Sequence, residues 1–284
     1  WSKKDGQDDL VWYDAKKEGR NYSVSVPLDK LTDAGVYYAH AYMIDSSGES
    51  TFLINKTFTI DGIVTIGEPE NGELIVDIAK IDTEKSFVDF SADVWTQDDK
   101  SDVQTIHSEK QSDGNYTITI PLSPFGLYSG DYQLNIYRNM DDGKSELMKE
   151  TSKSIIINKG TVAPVAISSN KMIYTVTLND VDMKGMEKEI RFAVWSEENG
   201  QDDLQWYTAE KSGNSYQVKI PMYKYNDTGS YNVHIYADLQ DDSSYCIVCT
   251  SFQVDEIVKS GVEVKQISGK TGTAQIVETM GDLG

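Results

Sequence analysis

The stretch SYQVKIPMYKYNDTGSYNVHIYADL, residues 215–239, contains the pattern that decides the fold. Apolar and polar residues alternate from Tyr216 to Ile220 and again from Tyr231 to Ile235. Such alternation predicts strands with one buried and one exposed face. Asn, Asp and Gly between the two runs are typical of a turn. The stretch therefore predicts two short strands and a turn.

The same stretch, with the residues before it, occurs twice in the chain. Residues 195–236 align without a gap with residues 1–42, at a constant offset of 194. Both copies contain the motif GQDDLxWY, followed by GxYxxHxY. A more divergent copy starts at Trp95, and its alignment places Asp102 on Asp8 and Ile106-His107 on Trp12-Tyr13. This internal similarity predicts a tandem repeat array.

The repeats predict four segments. Residues 1–61 form a repeat that lacks its first strands, 62–159 a divergent repeat, 160–258 a complete repeat, and 259–284 the opening strand of a fourth. We therefore expect the chain to be cut from a longer protein. Because the first repeat lacks partner strands, we also expect it to expose apolar surface and to be the least stable part.

Each complete copy has about seven short strands, the number in an immunoglobulin-like sandwich. The predicted fold class is all-β, with tandem immunoglobulin-like β-sandwich repeats. Tyr37 and Tyr231 have the spacing of a tyrosine corner, in which a Tyr hydroxyl bonds back to the preceding turn. Trp12 and Trp206 lie where such domains place a core tryptophan on strand C.

Composition excludes some partners. The 46 acidic and 26 basic residues give the 284-residue chain a net charge of −20. A surface this negative repels phosphate backbones, so nucleic acid is not an expected partner. No apolar run approaches 18 residues, so no membrane-spanning helix is predicted. The acidity attracts cations or positively charged polymers, or it simply keeps an extended protein soluble.

The acidic motif allows two interpretations. Asp8, Asp9, Asp202 and Asp203 could hold Ca²⁺, which needs six or more oxygen ligands. Alternatively, their carboxylates accept bonds from backbone N–H groups of a turn, and this interpretation is favoured. In the middle copy the alignment retains only Asp102. No metal site and no cofactor are therefore predicted.

Two further motifs suggest chemistry but have simpler explanations. Cys246 and Cys249 lie in a predicted strand, where residues i and i+3 point to opposite faces, so we expect their thiols not to meet. The segment SGKTGTA, 268–274, resembles the K-T-G box of penicillin-binding enzymes. The only Ser-x-x-Lys partner is Ser168 with Lys171, outside any predicted helix. No catalytic residue is predicted.

Aromatic residues mark a candidate ligand-binding face. His40 and Tyr42 share one strand face, as do His234 and Tyr236, while Tyr231 and its apolar neighbours take the other. The His and Tyr side chains are therefore expected to point outward. Aromatic rings on a sheet can stack on sugar rings, although exposed Tyr is also common in β-sandwiches without a ligand.

The motifs WSxxxGQDDLxWYxA and GxYxxHxY resemble the group B streptococcal Bsp-like repeat. The resemblance implies an exported protein of a Gram-positive bacterium, located outside the cell or in its wall. It implies tandem repeats beside cell-wall hydrolase domains or surface anchors. The family's His before Gly-x-Tyr has no counterpart here, where Leu31, Phe125 and Tyr225 lie near its place.

The predicted function is that of a non-catalytic tandem-repeat module of a cell-surface or cell-wall protein. It would act as a spacer, an adhesin or an arm that targets the wall, with cell-wall polysaccharide, host glycan or host protein as partner. The alternative is an accessory region of a peptidoglycan hydrolase (an amidase, an NlpC/P60 peptidase or a lysozyme-like enzyme) whose catalytic domain lies outside this sequence.

Overall fold

The computed structural model describes residues 1–4, 6–27, 30–31, 33–82, 85–198, 200–258, 262–266 and 274–278. The described residues are almost entirely β-structure, as the alternating pattern predicts. Short 3-10 helices lie at Ser123–Phe125 and Met222–Lys224. No helix among the described residues is long and apolar enough to cross a membrane.

The strands fall into two compact units: residues 1–69, 73–121 and 129–155, and residues 70–72, 122–128 and 156–284. In the first unit they are β1 (Lys16–Glu18), β2 (Asn21–Ser23), β3 (Gly35–Ile44), β4 (Ser50–Ile60), β5 (Ile63–Ile66), β6 (Glu73–Ala79), β7 (Phe87–Trp95), β8 (Gln104–His107), β9 (Glu109–Lys110), β10 (Tyr116–Pro121), β11 (Gly130–Met140) and β12 (Ser145–Ile155).

In the second unit they are β13 (Asn158–Val162), β14 (Ala166–Ile167), β15 (Ile173–Asp182), β16 (Glu187–Ser196), β17 (Gln205–Thr208), β18 (Glu210–Ser212), β19 (Ser215–Pro221), β20 (Gly229–Leu239), β21 (Ser244–Val254), β22 (Val262–Gln266) and β23 (Ala274–Glu278). We call residues 1–61, 62–159 and 160–258 the first, second and third repeats.

The second and third repeats have matching sheets. In the second repeat the strand orders are β5-β6-β10-β9 and β12-β11-β7-β8. In the third they are β13-β15-β19-β18, with β14 also on β15, and β17-β16-β20-β21. The strand pairings are antiparallel. Two antiparallel sheets in each of these repeats make the immunoglobulin-like fold that the sequence predicts.

Alternating apolar residues from both sheets form the core of the third repeat. Across the sheets, the rings of Tyr174 and Phe252 lie 5.4 Å apart between centroids. The buried positions of the central strands are Val176, Leu178, Ile190, Phe192, Val194, Val218, Ile220, Val233 and Ile235. This core contains no disulfide, since both cysteines are free and exposed.

The first repeat has two separate hairpins, β1-β2 and β3-β4. Among the described residues, its buried apolar cluster consists of Leu31, Tyr37 and Ile60, with Val26 and Ile63 packed against it. Many large apolar side chains are exposed, including Trp12, Tyr22, Val24, Met43, Ile44, Phe52 and Leu53. The first repeat therefore exposes apolar surface, as the sequence predicts. Its relative stability remains a prediction.

A buried ion pair lies at the end of the first repeat. The Arg138 side chain is 1% exposed and donates to Asp61, with Nη1 2.8 Å from Oδ2. Burial acts to raise the pKa of Asp61, but hydrogen bonds from Arg138 and Lys85 outweigh it and lower the pKa to about 2. Because a buried charge needs a partner, this pair fixes Asp61 to the second sandwich.

At the C-terminal end β22 and β23 form an antiparallel hairpin. The sequence predicts an opening strand of a fourth repeat here, and the structure has two strands. Residues 268–273 of the SGKTGTA segment lie outside the described residues. Ser168 lies in a turn, where its Oγ donates to Asn170 Oδ1 at 2.7 Å. Lys171 Nζ contacts Glu256 at 2.5 Å, so Ser168 and Lys171 have other partners.

Candidate functional site: the outer aromatic face

Strand β20 carries the candidate residues of the third repeat. Tyr231, Val233 and Ile235 are fully buried in the core. His234 and Tyr236 alternate with them and so lie on the opposite side of the sheet β17-β16-β20-β21. We call this side of the sheet the outer face. The structure places both side chains where the sequence predicts.

Two tryptophans contact these residues on the outer face. Trp195 meets His234 edge to face, with ring centroids 4.7 Å apart and an interplanar angle of 76°. Trp206 lies against Tyr236 at 5.2 Å. We call Trp195, His234, Tyr236 and Trp206 the aromatic ladder of the third repeat.

The first repeat has the same ladder. Trp1 meets His40 at 4.4 Å and 76°, and Trp12 lies 5.4 Å from Tyr42. Phe52 extends this ladder, with its ring 5.4 Å from His40 and 5.5 Å from Tyr42. The geometry of the ladder is therefore set by the repeat motif and recurs with it.

The prediction that Trp12 and Trp206 are core residues is wrong. Trp206 is 47% exposed and Trp12 is 66% exposed. The register explains this, because Trp206 pairs with Ala193, which in turn pairs with His234 on the outer face. The neighbouring Tyr207 points inward instead, and its hydroxyl lies 3.1 Å from that of Tyr225. Burial raises the pKa values of both tyrosines.

Polar groups lie beside the exposed tryptophan of the third repeat. The guanidinium of Arg191 lies over the Trp206 ring, 4.8 Å from its centroid. Arg191 also donates to Asp238, with Nη2 2.8 Å from Oδ1. A hydrogen bond from Arg191 lowers the pKa of Asp238. Trp206 thus has a charged donor and acceptor next to an accessible ring.

The acidic motif fixes a turn. Asp9 accepts bonds from the backbone N–H of Ser2 at 2.9 and 3.0 Å, and Asp203 accepts one from Ser196 at 3.0 Å. Asp102 accepts bonds from the N–H groups of Thr96 and Gln97. These bonds attach the loop to the residues that directly follow Trp1, Trp95 and Trp195. Asp8 and Asp202 are exposed.

The same bonds correct the alignment of the second repeat. Asp102 takes the place of Asp9 and Asp203, not that of Asp8. Thr105 pairs with Asp93, as Trp206 pairs with Ala193, so Thr105 and Ile106 occupy the Trp-Tyr positions. The loop is one residue shorter there. As a result, the second repeat has Thr105 where the others have an exposed tryptophan.

The outer face of the second repeat is polar. Thr105 Oγ1 donates to Asp93 at 2.6 Å, and His107 Nδ1 lies 2.7 Å from Asp89. Asn135 stands in place of the ladder histidine, and its amide lies 3.2 Å from the hydroxyl of Tyr137. The ladder is therefore a feature of the first and third repeats.

The tyrosine corners have the expected bonds. Tyr231 donates to the carbonyl of Asp227 at 2.7 Å, and Tyr37 donates to that of Asp33 at 3.2 Å. Both rings are buried, and burial raises the pKa of Tyr231. These bonds fix the turn that leads into the strand with His234 or His40.

The prediction that the two thiols stay apart is wrong. Cys246 Sγ lies 3.5 Å from Cys249 Sγ. A β-bulge leaves Ile247 unpaired, because Tyr236 pairs with Cys246 and Ile235 pairs with Val248. An extra residue reverses the side-chain alternation, so positions i and i+3 share a face. The adjacent apolar pair Ile247-Val248, which breaks the alternation, is the sequence signal for this bulge.

These features define the class of protein: a tandem array of immunoglobulin-like sandwich repeats, in which a recurring motif builds a turn, a tyrosine corner and an outer aromatic ladder. The profile of the GBS Bsp-like repeat family matches residues 1–58, 64–153 and 165–252. The chain belongs to this family, which confirms the resemblance. Family and fold together support a non-catalytic repeat module.

No curated protein matches the sequence. Among solved structures, the chain resembles the FN1–FN3 domains of chicken CNTN1 at 12% identity, with 77% of this chain and 78% of that chain covered and a TM-score of 0.27. A two-domain fibronectin type III segment of chicken tenascin matches at 13% identity, with 68% and 100% covered and a TM-score of 0.28.

A polysaccharide deacetylase from Bacillus cereus matches at 16% identity and a TM-score of 0.28. This match covers 37% of this chain and 32% of that chain, so the chain spans about a third of its length. Likenesses at these identities and TM-scores identify no activity.

Proposed function

We propose that the chain is a surface-exposed arm of a Gram-positive cell-surface or cell-wall protein and that its aromatic ladders bind polysaccharide. The observation that carries this proposal is the repeated ladder, which is built twice with nearly the same ring distances. Trp12 is the most exposed member of the ladder in the first repeat, and Trp206 is the most exposed member in the third. Bsp-like repeats are typical of surface proteins, which supports the location.

The chemistry of the face fits a sugar ligand. An accessible indole ring offers a flat apolar surface to the C–H face of a sugar ring, and aromatic burial contributes strongly to binding energy. Arg191 and Asp238 flank Trp206 and can donate to and accept from sugar hydroxyls. Two ladders on one chain would add avidity on a long polymer. The polar second repeat would act as the spacer between them.

The test is a pull-down of the full chain on purified peptidoglycan and on mucin-type glycans. We expect retention of the chain and its loss in the double variant Trp12→Ala, Trp206→Ala, because each substitution removes an exposed ring without opening the core. Each single variant should keep part of the binding. Isothermal titration with soluble fragments of the retained polymer would give the affinity.

The matched control is Val88→Ala, which shortens a side chain that is 66% exposed in the second repeat. It should bind as the parent chain does. If the double variant is retained as well as the parent, the ladders are not the binding site. If the parent is not retained on any polymer, the chain acts as a spacer alone.

A further inference from the structure

The bulge in β21 brings three metal-binding side chains together on the outer face of the third repeat. Cys249 pairs with His234, and Cys246 pairs with Tyr236, so both thiols lie on the side of the sheet that carries His234. One nitrogen of His234 and the two sulfurs lie within 4.8 Å of one another. This is the only such group among the residues whose side chains are described.

We propose that His234, Cys246 and Cys249 bind a zinc ion. Zinc takes thiolate and imidazole ligands in tetrahedral geometry, and a set of two Cys and one His leaves the fourth position for water or a ligand atom. With Zn–S bonds of about 2.3 Å, a tetrahedral site places its sulfurs about 3.8 Å apart. The observed 3.5 Å is close to this separation, whereas a disulfide requires about 2.0 Å.

The scaffold holds the ligands in place. All three lie on paired strands, and the edge contact with Trp195 orients the His234 ring. Rigid elements position metal ligands more accurately than loops do. Both thiols are exposed, so an ion can enter without unfolding the core. The net charge of −20 favours cation approach.

The other repeats lack the ligands although they share the bulge. In the first repeat Phe52 and Asn55 occupy the places of Cys246 and Cys249. In the second repeat Leu147 and Glu150 occupy them, and Asn135 replaces the histidine. The thiols are therefore unnecessary for the bulge and for the sandwich. The presence of all three ligands at one place therefore needs another explanation, and zinc binding provides it.

The test uses the full chain, reduced with a phosphine and freed of metal, and titrates it with zinc chloride in a calorimeter. We expect a single saturable ion per chain. Cobalt(II) should give thiolate-to-cobalt charge-transfer absorption and the d–d bands of tetrahedral coordination. Cys246→Ser and Cys249→Ser should abolish both signals, because a serine hydroxyl is a poor ligand for these ions. His234→Ala should weaken binding by at least about tenfold.

The matched control is His40→Ala, which removes the equivalent histidine from a repeat without thiols and should leave zinc binding unchanged. Circular dichroism of every variant shows whether the sandwich remains folded. Bound zinc should also protect both thiols from oxidation and from alkylation. The proposal is overturned if the reduced chain binds no zinc, if the serine variants retain the ion, or if the thiols form a disulfide equally fast with and without zinc. These readouts are independent of polysaccharide binding.

Discussion

The first and third repeats place the same residues in opposite environments. Tyr22 and Val24 are 66% and 52% exposed, while Tyr216 and Val218 at the matching positions are 4% and 3% exposed. In the third repeat β15 pairs with β19, and β16 pairs with β20, which covers these positions. In the third repeat β15 and most of β16 precede Trp195, whereas the described residues of the first repeat form no counterpart of these strands. Burial here depends on partner strands, not on residue type.

The contacts of the outer face, unlike burial in the core, do not require these partner strands. Trp1 and His40 keep the 76° edge contact of Trp195 and His234, although the described residues of the first repeat form two hairpins instead of a sandwich. The bulge also recurs, after Ala41 in one repeat and after Ile235 in the other. The ladder and the bulge therefore depend on the β3-β4 or β20-β21 hairpin and its motif. The core depends on the whole sandwich.

The largest expected effect tests whether the bulge alone is enough to build a metal site. The double variant Phe52→Cys, Asn55→Cys gives the first repeat the ligand set of the third, beside His40. We expect the chain to bind a second zinc ion. A site of micromolar affinity corresponds to about 8 kcal/mol of binding free energy. Calorimetric stoichiometry and cobalt absorption measure it.

The control for this variant is Phe52→Cys, Ile54→Cys. Ile54 pairs with Ala41 and lies on the other side of the strand, so the two new thiols cannot share a site with His40. The shared bulge does not define the ligand geometry if this control binds a second ion. The same conclusion holds if neither variant binds one.

The second-largest expected effect comes from adding the strands that would complete the β-sandwich of the first repeat. Fusing residues 160–194 directly before Trp1 supplies the strands that cover the third repeat. Burial of Tyr22 and Val24 should then stabilise the first repeat by about 3–6 kcal/mol, since each large apolar side chain contributes about 1.5–3 kcal/mol. Hydrogen-exchange mass spectrometry of peptides from the first repeat measures this as slower exchange.

A Gly/Ser segment of the same length, placed before Trp1, is the control for the fusion. It should leave exchange in the first repeat unchanged. If it protects the first repeat as well as the fused strands do, then chain length rather than strand pairing limits stability.

The alternating runs predict the strands and the buried side of β20, and the internal similarity predicts the array. The runs also place His234 and Tyr236 on the outer face, because alternation is a local property. Alternation does not predict the side of Trp206, because that side depends on how β17 pairs with β16. Strict alternation also fails to predict the thiol pair, because a bulge is a property of two strands, and only the apolar pair Ile247-Val248 marks its place in the sequence. Pairing register is specified by tertiary contacts, and a single strand does not reveal it.

A smaller effect is expected when the valine at one repeat position is shortened, because this position is buried in the third repeat and exposed in the first. Val218→Ala removes two buried carbons and leaves a cavity, so it should lower the free energy of unfolding of the third repeat by about 2–3 kcal/mol. Val24→Ala changes an exposed side chain and should alter stability by less than about 0.5 kcal/mol. Hydrogen exchange in the peptides around each site measures both. Equal costs would mean that Val24 is buried in solution.

The smallest effect comes from removing the tyrosine-corner hydroxyls, and it should be at least as large in the first repeat as in the third. Tyr231→Phe and Tyr37→Phe each remove the hydroxyl bond to the carbonyl of Asp227 or Asp33 while keeping a buried ring. Tyr37→Phe also removes the bond that the backbone N–H of Asp33 donates to the Tyr37 hydroxyl at 3.0 Å. The expected cost is about 0.5–1.5 kcal/mol for each hydrogen bond removed. Chemical denaturation followed by hydrogen exchange measures the two costs separately. Because each bond lies within one strand and its preceding turn, the open first repeat should retain it. If Tyr231→Phe lowers the free energy of unfolding as expected and Tyr37→Phe does not, then the tyrosine corner requires the complete sandwich.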